Sequence, residues 1–280
     1  MKNLMLVVLC MCCFSMQGQS NIEKLLTQTE WVNSDLNYLR FDDSIIVHNF
    51  DNIRQEMRYD IDGQKLSLRV DYRVGPDPRS EVFDFKIKEI RKNKLVLAPM
   101  NKKEEVENTL KRIKYEPFFK EKQYIFYDRG QLRSTVNLKK ITFHSSTCYG
   151  ICPSLSVEID IDGTVHYQGR KNTSLHGNYT GKLPAAELLE LKKILNRSRI
   201  YDLESKWEQK EDSKINPRYN YLIEDYKGNK IELNTNNQHP ILDRLADFFT
   251  HIETRVELTK TSERYKFDQS ATPKYRVLLY

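Results

Sequence analysis

Glycine and proline are scarce, ten and nine residues of 280, too few for a collagen-like or low-complexity chain. Cysteine is scarcer still. There are five, and Cys10, Cys12 and Cys13 all lie in the N-terminal apolar run, which excludes a disulfide-dense mini-scaffold. After Phe14 no apolar run approaches the roughly 20 residues that a membrane-crossing helix needs, so no membrane span is expected. An excess of one charge is lacking too. Lys and Arg number 45 against 39 Asp and Glu, a net +6, and the signs are interleaved, as in Lys102-Lys103-Glu104-Glu105. That describes a solvated surface rather than the clustered cations of a nucleic-acid binder. The chain contains no G-x-S-x-G, H-E-x-x-H or G-x-G-x-x-G, so it nominates no catalytic residue and no cofactor.

Aromatic residues are plentiful, with sixteen Tyr and twelve Phe, and rings of this kind suit half-buried pleated surfaces. At the N-terminus Lys2 precedes the unbroken apolar run from Leu4 to Phe14, and Ser15 to Ser20 then turns polar. This order of regions is that of a secretory signal peptide, expected over residues 1–19. None of the three leader cysteines follows a small residue, so an exported chain without a lipid anchor is expected, in the periplasm, the cell envelope or the medium.

Two halves follow with different periods. From Trp31 to about Leu132 short alternating segments dominate: residues 59–68 about an Asp62-Gly63 turn, Val82 to Ile87, Leu95 to Leu97, and Tyr124 to Tyr127. One helix is expected among them, capped by Asn101, with Val106, Leu110 and Ile113 as its stripe and Pro117 as its stop. In the second half Lys140 to His144, Leu155 to Ile161, Val165 to Tyr167 and Asn178 to Thr180 read as strands. Pro184 opens a helix with Leu188, Leu191 and Leu195 on one face. A hairpin about Lys227-Gly228-Asn229 comes next. A long helix from Pro240 carries Ile241, Leu245, Phe248, Phe249 and Ile252 at helical spacing, with His239 placed to cap it. Lys206 to Arg218 reads as a polar loop, and Tyr265 to Phe267 and Tyr275 to Tyr280 as tail strands. The expected class is α+β: an antiparallel β domain over 20–135, then an antiparallel sheet with two helices, ββββαββα, over 136–255, and a tail over 256–280.

Trp31 at the opening of the first strand, Leu39-Arg40-Phe41, Tyr59-Asp60-Ile61 and Leu66-Ser67-Leu68 together resemble the lipocalin-like domains of exported bacterial proteins. The resemblance implies a meandering β domain with Trp31 as a core plug. Cys148-Tyr149-Gly150-Ile151-Cys152-Pro153 is the most specific motif. With Asp162-Gly163, Tyr167-Gln168-Gly169 and Gly177-Asn178-Tyr179-Thr180-Gly181 it resembles, over about residues 138–253, a family of unknown function found in exported bacterial proteins. Leu155 departs from the aromatic residue often found two positions after that Pro. The family has no established activity, so the resemblance implies a fold unit and no catalytic residues.

Three readings of Cys148 and Cys152 stand side by side. They are the two cysteines that outlast leader removal, and an oxidising compartment favours a disulfide between them. Gly150 is then expected at a backbone position with φ above zero, and Pro153 fixes the entry to the next strand. With His144 they also form H-x3-C-x3-C, a soft-ligand set for copper or zinc. The third reading is thiol–disulfide exchange, for which the usual helix N-terminus is missing, since a period-two strand follows Pro153. Other constellations carry less. Gly177 to Leu183 is too short between its glycines for a phosphate loop, and Asp60 to Gly63 and Asp160 to Gly163 are hairpin turns rather than calcium loops. The function expected is a non-catalytic binding or interaction module of the cell envelope, with an envelope protein or a small apolar ligand as partner. The alternative is a metal- or thiol-handling protein using Cys148 and Cys152.

Overall fold

The structure is a computed structural model that describes residues 21–48, 54–100, 121–132, 134–206, 216–235 and 238–268. The leader, the helix expected after Asn101, most of the loop after Lys206 and the strand expected at Tyr275 to Tyr280 lie outside the described residues. The chain divides into two compact units, Met1–Leu132 and Arg133–Tyr280.

In the first unit eight strands form a closed barrel in sequence order: β1 (Glu30–Val32), β2 (Tyr38–Phe41), β3 (Ile45–His48), β4 (Arg54–Asp62), β5 (Lys65–Val74), β6 (Asp77–Arg91), β7 (Lys94–Pro99) and β8 (Tyr124–Asp128). Each pairs antiparallel with the next, and β1 closes on β8 through Trp31 opposite Asp128 and Val32 opposite Tyr127. This is a lipocalin-like architecture. Alternation does the sorting. Leu66, Leu68 and Val70 of β5 join the core, and Leu66 and Leu68 face Phe85 and Phe83 across the ladder. A short helix α1 (21–27) precedes β1 and sends Leu26 into the same core. Trp31 is fully buried there, and its indole N–H donates to the Leu26 carbonyl at 3.2 Å. The core-plug expectation for Trp31 therefore holds. Its hydrogen bond meets the requirement that a buried indole satisfy its one donor.

The second unit is a seven-stranded antiparallel sheet. Its strands are β9 (Leu138–Ser145), β10 (Leu155–Asp160), β11 (Thr164–Gly169), β12 (Gly177–Lys182), β13 (Tyr219–Asp225), β14 (Lys230–Thr235) and β15 (Leu258–Lys260), arranged β14-β13-β9-β10-β11-β12-β15. Between β12 and β13 lie α2 (Ala185–Arg197) and α3 (Ile200–Lys206), and α4 (Asp243–Thr250) follows β14. Helices cover one face. Phe143 of β9 stacks on Phe249 of α4 with centroids 4.8 Å apart and lies beside Tyr221 of β13. Pro184 stands at the N-cap of α2, and the His239 ring Nδ1 accepts from the Ile241 N–H at 3.1 Å, the expected cap.

Four elements differ from expectation. The long last helix is instead a 3₁₀ turn (Pro240–Leu242), α4, and a second 3₁₀ turn (Ile252–Thr254), since one apolar face suits each piece equally well. The strand β15 and the helix α3 are additional. Tyr265 to Phe267 forms no ladder. It runs extended across the sheet, so its alternation reflects side-chain placement rather than strand pairing.

Candidate functional site

The nine residues between β9 and β10 carry the cysteine motif. Cys148 and Cys152 form a disulfide with Cα atoms 5.5 Å apart. The feet of the loop are anchored through two serines. The Ser145 hydroxyl donates to the Pro153 carbonyl at 2.6 Å and accepts from the Leu155 N–H at 3.1 Å. Ser146 and Arg218 exchange bonds, each backbone N–H donating to the other residue at 2.9 Å. Asn172 donates to the Cys152 carbonyl at 3.3 Å. Above these anchors Tyr149 and Ile151 are 93% and 89% exposed. The expectation for Gly150 fails, because its backbone is not left-handed. A Cβ there would meet only Cys148 Sγ, at 3.7 Å, so the bridged turn closes without a glycine-specific conformation.

The sheet face turned away from the helices is polar and mostly covered. Because opposed residues of a ladder share a face, the register lays out two rows across the strands. One row runs Asn220, His144, Ser156, Gln168, Asn178. The next runs Leu222, Thr142, Glu158, His166, Thr180. Thr142, His144, Ser156, Glu158 and Asn220 are all buried. Their cover is the segment 261–268, which leaves β15, held by the Thr261 N–H on the Asn178 carbonyl at 3.0 Å. The Tyr265 ring stacks on His166 with centroids 3.6 Å apart, and its hydroxyl donates to Glu158. Phe267 meets the His144 ring edge-on at 5.9 Å, and Asp268 pairs with Lys230 of β14 at 3.1 Å. The strap thus runs from one edge strand to the other.

Polar bonds within this face are specific. Glu158 accepts from Thr142 Oγ1 at 2.7 Å and lies 3.5 Å from Lys140 Nζ. Burial and the Glu158 carboxylate raise the Tyr265 phenol above its ordinary value. Arg170 donates to Ser156 Oγ at 2.7 Å, and the same oxygen lies within hydrogen-bond reach of His144 Nδ1 at 2.6 Å. Near neutral pH the imidazole is uncharged. Burial first and the Arg170 charge second pull the His144 pKa down to about 4.

Residues 139–256 match a domain of unknown function (DUF6438). The DUF6438 match opens in β9 and contains the cysteine loop, α2 to α4 and six of the seven strands, ending before β15. The strap therefore comes from sequence beyond the matched DUF6438 segment. None of the curated proteins matches the chain.

Of the sequence-derived site residues, the structure joins Cys148 to Cys152, sets Gly150 between them and uses the Pro153 carbonyl as an anchor. It turns His144 toward Ser156 and Phe267. Among the described residues no three His, Cys, Asp or Glu side chains gather to hold an ion. Sequence reasoning missed the polar face as a unit. The signal was present in Ser156, Glu158 and Asp160, the second set of the β10 alternation.

Proposed function

We propose that this chain is an exported, non-catalytic interaction module of the cell envelope, and that the disulfide-closed loop Cys148 to Cys152 is its contact surface. One observation carries the reading. Tyr149 and Ile151 stand almost fully exposed on a loop closed by a covalent bridge and anchored at both feet. Burying two such side chains in a partner contributes roughly 2 kcal/mol each, and a bridged loop loses little conformational freedom on docking. The apolar run at Leu4 to Phe14 and a disulfide suited to oxidising compartments support export. The fitting partner is an envelope protein with an apolar cleft, because the apolar groups offered point outward. A small apolar ligand in the barrel fits less well, since the barrel's inward side chains pack on one another.

Photo-crosslinking in the native envelope tests this. A crosslinking amino acid at position 149 should yield one discrete adduct, while the same group at Tyr226, also exposed, should yield none. Equal labelling at both positions would refute the loop as a contact surface, and a chain retained in the cytoplasm would refute export.

The thiol-handling alternative has one observation in its favour, the Gly150 N–H directed at Cys148 Sγ at 3.2 Å. After reduction that donor would stabilise a thiolate on Cys148. Equilibration against glutathione buffers tests it. A redox potential close to that of the glutathione pool would favour exchange, and one far below it a structural bridge.

A further inference from the structure

We propose that the polar face of the seven-stranded sheet is a recognition site for an extended peptide of the form Tyr-x-Phe-acidic, occupied in cis by the chain's own residues 265–268. A structural cover for a sheet is ordinarily apolar on both sides of the contact. Here the sheet side offers a carboxylate, two imidazoles, hydroxyls and a carboxamide. Four sheet side chains read groups of the strap: His166 takes the tyrosine ring face, Glu158 its hydroxyl, His144 the phenylalanine edge and Lys230 the acidic side chain. Three of four consecutive positions are thereby recognised, with Lys266 left outward as the free position.

Two further observations separate a ligand site from a plain lid. The matched domain ends at residue 256, so the polar face belongs to the domain and the occupant does not. The fit is also incomplete. Asn220 is fully buried on this face, directly opposite His144, and neither its Oδ1 nor its Nδ2 has a partner among the described residues. A buried amide without partners is destabilising, because it has left water without replacing those hydrogen bonds. A segment that brought a polar group to Asn220 would recover that energy and displace the strap. A tethered strap competes at an effective concentration of about a millimolar, so the resting chain is closed to weak ligands.

The test uses the full chain with a specific protease site placed between Thr261 and Ser262, cut after folding. The probe is a fluorescent peptide of residues 262–268. The cut protein should exchange its strap for the probe with saturable binding, while the uncut protein takes up none at the same concentration. A Tyr265→Phe probe should bind roughly tenfold weaker through loss of the Glu158 bond, and Glu158→Gln in the protein should erase most of that difference. A probe ending at Asp268→Asn should weaken with Tyr265 intact, through Lys230. If the cut protein stays folded but never exchanges its strap, or unfolds on cutting, the segment is an integral part of the fold and the proposal is overturned. Equal binding of all probes would overturn the assigned contacts.

Discussion

The neutral, buried His144 makes the second unit sensitive to mild acid. In the folded chain its pKa is pulled down to about 4, from an ordinary value of 6.5. The groups facing it are Ser156, Arg170, Glu158, Asn220, Phe267 and Asp268. Below the ordinary value the unfolded chain binds a proton that the folded chain refuses, so stability falls as pH drops through the window from 6.5 toward 4. Above that window both states are neutral and the contribution is complete. Each pH unit inside the window costs about 1.4 kcal/mol, which gives a loss of about 2 kcal/mol at about pH 5 and about 3 near pH 4. Chemical denaturation followed through β9 amide resonances measures it, comparing the native chain with His144→Gln at about pH 7 and about pH 5. The variant starts lower because its contact with Ser156 changes. The quantity of interest is the extra pH dependence of the native chain, about 2 kcal/mol over that interval. Identical pH dependence in the two proteins, or a His144 resonance titrating near 6.5, would refute the buried neutral assignment.

Three other perturbations have definite outcomes. Cys148→Ser with Cys152→Ser should fold and lose roughly 2 kcal/mol, because the ring closed is small; a loss of folding in circular dichroism would contradict this. Gly169→Ala should destabilise the second unit by about 3 kcal/mol or more, since its Cβ would fall 1.7 Å from the Leu175 carbonyl oxygen, and thermal unfolding reads the loss. In the barrel, Arg129 pairs with Glu30 where both are nearly buried. Arg129→Met should cost roughly 3 kcal/mol by breaking this nearly buried ion pair, and a double-mutant cycle with Glu30→Gln reads the coupling between the two.

The alternation of Leu66, Leu68, Phe83 and Phe85 made the barrel strands legible, because period two is a local property. Closure was not, since Trp31 meets Asp128 across the whole unit and no local pattern encodes that pairing. The same holds for β13 lying beside β9, with β10 to β12 and two helices between them in sequence. The strand β15 is three residues long, too short for any alternation to register. Gly150 misled because glycine tolerates a left-handed backbone without requiring one. The strap was half legible. Tyr265 and Phe267 revealed a common side, but extended chain lying on a sheet and extended chain within one share the same period.

The two units differ in how their strands end. The barrel closes β1 on β8, so its ladder has no open margin at which another chain could add a strand. Among the described residues the sheet ends at β14, beside β13, and at β15, beside β12; the longer of these edges is β14. Its alternating positions carry Lys230, Glu232 and Asn234, and Lys230 is engaged by Asp268. Charges on a terminal strand oppose edge-to-edge growth of sheets between molecules. These charges would therefore hold back self-association of crowded chains through β14, and neutralising Lys230 and Glu232 together should increase it.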